Sequence, residues 1–448
     1  MYDMYEQLLR HPFTSATGRG HCRAEDLVAA MRAVELALAA EQESLGLLPA
    51  GTAEALDRHL ASDVFDLEAL AADTVKGGNP AIPFVKQAKA ALPDALKPHF
   101  HRGATSQDIV DSALMLVLKP RLTRCRHLLT EATAAGRALM MDHRGTAMVG
   151  RTLMQQALPI TFGAKVGQWL WGLHQAGERL DAVLAEGLYV QFGGAVGVHS
   201  GLDDSGVAIM TGMARRLELA EPWLPWHTDR QPIHALGCAL DGVAVAAEKV
   251  ALDIALMTQT EIGELAEPAE AGVGESSSMP HKRNPVGCAR IRAAARQIHG
   301  ALNVLANAGA PPLERGLGEW HAEWAPLLDA TLLLEGALET LRHLLDGLEV
   351  HPEAMARNLA VTGGAIMAEP AARVLQGVLA SDEARRVARE ASEVARRDGV
   401  AYAEALLAHE RVAGSGIDAE ALRQAVRPES YIGSSRQLVD RVLERLDG

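Results

Sequence analysis

The chain has 448 residues, 48% of them hydrophobic and 22% charged, enough to bury a large core and to form more than one domain. Its net charge of −14 argues against phosphate-backbone binding as a main task, so no nucleic-acid partner is expected. An anionic small molecule stays possible, because a local Arg and Lys cluster can override the global field.

Aromatic residues make up only 4%, while Ala and Leu dominate, which predicts an all-α fold of helices packed on helices. The start, MYDMYEQLLRHPF, lacks a basic segment followed by an apolar stretch, so no signal peptide is expected. Charges interrupt every window long enough to span a bilayer, so no membrane partner is expected. Cys22, Cys125, Cys238 and Cys288 lie in no CxxC or Cys/His ligand spacing. No metal site is therefore expected, and scattered cysteines suit a reducing, cytoplasmic setting.

Residues 23–49 read as a long amphipathic helix that stops before Pro49. KGGNPAIP (76–83) and HRGATSQD (101–108) are turn-rich, and Thr105 or Ser106 is placed to cap the helix that follows. Long segments with few breakers then occupy 108–143, 158–186, 232–265, 285–308 and 323–349, which predicts a long helical bundle. Pro120 is expected to kink or break the first of them. From 351 onward the predicted helices are shorter and richer in Arg and Glu, with a turn at Gly363-Gly364. The expected domains are 1–110, 111–355 and 356–448. The apolar faces of the central helices suggest that several subunits pack together.

Three polar loops, 101–108, 150–156 and 274–285, stand beside long helices. A bundle can gather such loops at one end, and they can equally be unrelated connections. GESSSMPHKRNP (274–285) fits no helix or strand period. Its Asn284-Pro285 is a good helix start, with Asn as N-cap and Pro at the first helical position, and a helix N-terminus offers free N–H groups and a positive dipole end to a carboxylate. Lys282 and Arg283 add charge. A serine near Lys and a helix N-terminus can exchange a proton more readily than a free hydroxyl.

Taken together, the stretches resemble the fumarase/aspartase superfamily. The loop of that family, G-S-S-x-M-P-x-K-x-N-P, stands here as ESSSMPHKRNP from Glu275 to Pro285. The family's H-x-G-x-T-S-x-D is matched by His101, Gly103, Thr105, Ser106 and Asp108, and its G-R-T-x-x-Q by Gly150, Arg151, Thr152 and Gln155. The order and spacing fit along essentially the whole chain. The resemblance implies a three-domain fold with a long central bundle and a homotetramer whose active sites each draw on three subunits. It implies addition to, or elimination from, a carbon next to a carboxylate, through a carbanion held as an aci-carboxylate. Ser276 would be the catalytic acid/base. Lys282, Asn284, Thr105 and Ser106 would hold substrate carboxylates, within a site that also includes Arg151, Thr152, Gln155, Ser277 and Met279. The implied substrate is a small polycarboxylate, and no cofactor is implied.

In fumarase and the nitrogen lyases of this superfamily a His follows the G-R-T and pairs with a Glu after the loop. Here those positions hold Leu153 and Ala289. The pair serves a poor leaving group. A carboxylate leaves as an anion near neutral pH, because its conjugate acid has a pKa of about 4. The absence therefore points to the muconate cycloisomerase branch. MVGRTLMQQALPITFG (148–163), YVQFGGAVG (189–197), PWHTDR (225–230), LERGLGEWHAEW (313–324) and ESYIGSS (429–435) resemble the bacterial 3-carboxy-cis,cis-muconate cycloisomerases. His101, Arg230 and Arg315 are further candidates for carboxylate contacts, the two arginines being equally suited to interface ion pairs. Leu153 and Gln156 stand where that branch has Trp and His, and Glu275 where it has Gly. These departures suggest a reshaped pocket and a 3-sulfomuconate cycloisomerase as the alternative. An adenylosuccinate lyase and a non-catalytic structural tetramer are the other readings.

Overall fold

The computed structural model describes residues 8–10, 13–269, 272–274, 278–279 and 281–447. Among the described residues helices carry nearly all of the regular secondary structure, as the Ala- and Leu-rich composition predicts. The chain forms two compact units. One comprises 1–130, 175–248 and 290–340; the other comprises 131–174, 249–289 and 341–448.

The first unit is built on helix Ala24–Ser44, whose Met31, Val34 and Leu38 are buried at helical spacing. This helix ends earlier than its predicted limit, because Gly46 turns the backbone to φ 72. Phe84 stacks on Phe65 at 4.9 Å and meets Phe100 at 6.4 Å, a cluster directly before the 101–108 loop. Helix Ser106–Asp142 then runs for 37 residues with Pro120 inside it. The expected break does not occur. Leu118 and Leu122, on either side of the proline, are fully buried, and that packing holds the helix together despite the missing N–H.

The second unit contains the two small sheets. Strands Ala147–Thr152 and Gln155–Thr161 pair antiparallel, with Thr152 opposite Gln155 and a register irregularity around Gly150. A Cβ at Gly150 would lie 2.9 Å from the Leu158 carbonyl oxygen, so only glycine permits this approach of the two strands. The stretch predicted as a loop beside a helix is thus a hairpin feeding helix Phe162–Glu186. Leu265–Ala266 pairs with Glu349–Val350. Helix Gln231–Met257 stops short of its predicted end, and residues 258–264 turn through Gly263 at φ 58 into that strand. In the C-terminal part, Ala384, Val387, Ala388, Ala391 and Ala395 form one buried stripe of helix Ser381–Asp398. Gly363 and Gly364 make the predicted turn with φ 61 and 84, and a Cβ on Gly364 would strike Tyr402. Among the described residues no helix is long and apolar enough to cross a membrane.

Candidate active site

The 101–108 loop rests on buried polar groups of the first unit. Thr105 precedes helix Ser106–Asp142, and its N–H donates to Asp108 Oδ2 at 2.9 Å, three residues ahead, which is one half of a capping box. Asp108 is fully buried. Its Oδ2 also accepts from the Gly194 N–H at 3.0 Å, and its Oδ1 lies 2.7 Å from His227 Nε2. One turn on, Asp111 accepts from Arg230 Nη1 and from Trp320 Nε1, both at 2.8 Å. Arg230 also donates to Glu323 at 2.7 Å. The donors that meet these carboxylates offset the cost of burying them.

Arg230 therefore does not present a free guanidinium. It is 2% exposed and engaged by two carboxylates of its own unit. Burial works against its charge, but Asp111 and Glu323 outweigh it and hold the group above its ordinary value. Arg315 is different. Its Nη1 donates to Thr105 Oγ1 at 3.0 Å, its guanidinium lies 5.9 Å from the Trp320 ring, and it makes no carboxylate ion pair among the described residues. Half-burial lowers its pKa, with Asp108 and Asp111 pulling the other way. His101 Nδ1 lies 2.6 Å from Glu35 Oε1. Burial opposes the imidazolium, yet Glu35, aided by Asp108, lifts its pKa above the ordinary value. His101, Thr105 and Ser106 thus lie partly open in one stretch at the start of the long helix, and Arg315 is bonded to its Thr105. This arrangement offers cations and hydroxyls to an anion.

The other candidates belong to the second unit. Arg151 donates both Nη1 and Nη2 to Glu264, at 2.9 and 2.8 Å. Glu264 is fully buried and also accepts from Asn358 Nδ2 at 2.8 Å. Gln156 Nε2 donates to the Asn358 carbonyl at 3.1 Å. Arg151 and Gln156 therefore anchor the hairpin, while Thr152, Leu153 and Gln155 are exposed near its tip. Leu153 is 97% exposed, and Leu153 and Met154 have φ 49 and 65, the signature of a type I′ turn built without the usual Asn-Gly. Lys165, close behind on helix Phe162–Glu186, makes no ion pair among the described residues, and burial lowers its pKa.

Glu275, Ser276 and Ser277 lie outside the described residues. Lys282 and Met279 are exposed. The Asn284 N–H and Nδ2 both donate to the Gly274 carbonyl, at 2.9 and 3.2 Å, closing the base of the loop. Asn284 is not the side-chain cap of the next helix, and that helix does not offer free N–H groups in its first turn. Glu267 takes them: its carboxylate accepts from Gly287 and Cys288 N–H at 2.9 and 2.8 Å at the start of helix Val286–Ala308. Arg283 donates to Glu349 and to the Glu267 carbonyl.

The sequence reading missed Glu35, Asp111, His227, Glu264, Glu267 and Glu323. A signal existed for Glu35, which shares a helical face with Met31 and Leu38. Among the described residues no group of three or more His, Cys, Asp or Glu side chains could hold a metal ion.

The lyase family matches residues 15–300. Nitrosuccinate lyase of Streptomyces davaonensis is 39% identical over 427 residues, covering 93% of this chain and 90% of that protein. The 3-carboxy-cis,cis-muconate cycloisomerase of Bradyrhizobium diazoefficiens is 36% identical over 443 residues, covering 98% of each. The crystal structure of the 3-carboxy-cis,cis-muconate lactonizing enzyme from Pseudomonas putida superposes with a TM-score of 0.91 at 32% identity, over 99% of this chain and all of that one. The two-unit helical architecture is thus the fumarase/aspartase-type fold with its long central bundle, and the chain belongs to the lyase family of that superfamily, whose members are enzymes acting on small molecules.

Proposed function

We propose that this enzyme is a cycloisomerase that converts 3-carboxy-cis,cis-muconate to its muconolactone. One substrate carboxylate adds to an alkene carbon of the same molecule. The observation that carries this reading is Arg315, a half-buried guanidinium bonded to Thr105 and free of any carboxylate partner among the described residues. An arginine so placed is suited to a substrate carboxylate. The relatives named as cycloisomerases support the substrate class.

In this mechanism a C–O bond forms as the alkene π pair moves onto the neighbouring carbon, and the charge spreads into the attached carboxylate. Ser276 delivers a proton to that carbon and recovers one from solvent. Thr105, Ser106, Arg315, Lys282 and Asn284 hold carboxylates, and Arg151 braces the hairpin that presents Thr152, Leu153 and Gln155. Holding the attacking carboxylate over the alkene supplies much of the rate. The reverse reaction expels a carboxylate, which needs no general acid, in keeping with Leu153 and Ala289 at the positions of the family's His and Glu. A homotetramer with shared sites, a three-domain division at 110 and 355, and a cytoplasmic location belong to the same proposal.

A second reading is elimination from nitrosuccinate, favoured by the 39% identity to nitrosuccinate lyase. The nitro group would leave as nitrite, another weakly basic anion that needs no acid. The deciding experiment follows loss of diene ultraviolet absorbance with 3-carboxymuconate and 3-sulfomuconate side by side, and nitrite release from nitrosuccinate in parallel. Faster turnover of the carboxy diene is expected. Preference for the sulfo diene would assign a role to Leu153. Nitrite release without diene turnover would replace the cycloisomerase reading, and silence on all three would return the question to adenylosuccinate or a structural role.

A further inference from the structure

Glu35 is buried in the first unit, with one carboxylate oxygen on His101 and the other, Oε2, buried without a hydrogen-bond partner. A carboxylate so placed keeps its charge only if a cation neutralises it. The imidazole at 2.6 Å is the group in position to do so. The ring is aimed by a constrained backbone: His101 sits at φ 60, left-handed and uncommon for a residue with a side chain. Helix Ala24–Ser44 braces this conformation. Gln42, two turns beyond Glu35 on the same face, donates Nε2 to the Arg102 carbonyl at 2.7 Å. Arg102 in turn donates Nη1 to the Leu47 carbonyl at 2.6 Å. His101 Nε2 makes no hydrogen bond among the described residues, and nearby in the same loop Thr105 accepts from Arg315.

We propose that Glu35 is a positioning residue that keeps His101 as an imidazolium, and that His101 Nε2–H and the Arg315 guanidinium form a two-cation edge around Thr105 for the substrate's anionic groups. Of the charged groups that bear on the ring, Glu35 and Asp108 favour its charge, while Lys89 and burial oppose it. This His–Glu pair, at the H-x-G-x-T-S motif, is separate from the one missing at 153 and 289, and its task is to hold an anion. The proposal rests on the cycloisomerase reading only for the identity of that anion.

The test has two arms. In the first, the wild-type protein with 15N-labelled histidine is titrated by NMR. His101 is expected to titrate above the ordinary value of about 6.5, and Glu35→Gln to bring it down. A wild-type His101 at or below the ordinary value overturns the proposal without any variant. In the second arm, KM for 3-carboxymuconate is expected to rise roughly three- to six-fold in Glu35→Gln near neutral pH, following the loss of the charged fraction, while kcat changes far less. The high-pH limb of kcat/KM should move to lower pH, and Glu35→Asp should restore it. A uniform loss of activity with an unmoved limb would mark Glu35 as merely structural and overturn the assignment. Tricarballylate binding separates this inference from the substrate reading. Tighter binding at pH 6 than at pH 8 in the wild type, with its midpoint moved to lower pH in Glu35→Gln, supports the two-cation edge even if no muconate is turned over. Binding with no pH dependence, or no binding, overturns it.

Discussion

The 101–108 loop and the 147–161 hairpin both display motif residues, yet they are held in opposite ways. Beneath the loop lie the buried carboxylates Glu35, Asp108, Asp111 and Glu323, tied to His101, His227 and Arg230. The hairpin is braced at its base by one buried carboxylate, Glu264, and ends in an exposed Leu153-Met154 turn with two left-handed residues. The loop is therefore rigidly supported and costly to alter, whereas the hairpin tip can change sequence at small cost to the fold. Variation in substrate preference is expected at the tip, and loss of folding at the loop.

Several variants test this contrast. The largest effect is expected from neither region: Ser276→Ala should lower turnover by on the order of 10³-fold with the oligomer intact, read by kinetics and size-exclusion chromatography. Retained turnover would remove Ser276 as the acid/base. For the loop, Arg230→Met should cost about 3–5 kcal/mol, because Asp111 and Glu323 are left as unpaired buried charges. Urea unfolding followed by tryptophan fluorescence will show it, and a near-neutral result would mean that the network is not what holds the loop. For the hairpin base, Glu264→Gln should cost about 1.5–3 kcal/mol by removing the charge from a bidentate pair. Its signature is faster amide exchange confined to 147–161, and global loosening would show that the hairpin is as integral as the loop.

The pH dependence separates the regions further. The folded pKa of His101 is raised. Its pair with Glu35 therefore contributes its full stabilisation below the ordinary His value and loses it as pH rises through the folded value. Amide exchange at 101–103, corrected for intrinsic rates, should accelerate across that window while 147–161 stays unchanged. The smallest effect belongs to the tip. Leu153→Asn with Met154→Gly installs the preferred turn residues and should stabilise the hairpin by about 1 kcal/mol, slowing its exchange roughly fivefold. Faster exchange would show that the Leu-Met turn is held by contacts rather than strained.

Much of this was legible in the sequence. Ala- and Leu-rich segments without breakers predicted the helices, because helical period and propensity are local. The motifs pointed to His101, Thr105 and Ser106, and the fold brings Arg315 onto Thr105. Local reasoning failed where partners come from far along the chain. Pro120 was expected to kink or break the helix, and it does not break it: buried Leu118 and Leu122 keep the helix continuous. The amides after Pro285 were expected to be free, and Glu267 fills them.

By itself, the sequence determined the helical class, the motif chemistry and the absence of the family's acid pair at Leu153 and Ala289. Each is a property of residue identity and short-range order. The tertiary structure alone decided which charges are free. Arg230 and Arg315 look alike as candidates in the sequence. Folding gives Arg230 two buried carboxylates and leaves Arg315 with a hydroxyl, because burial makes an unpaired charge expensive and so sorts the arginines by their distant neighbours.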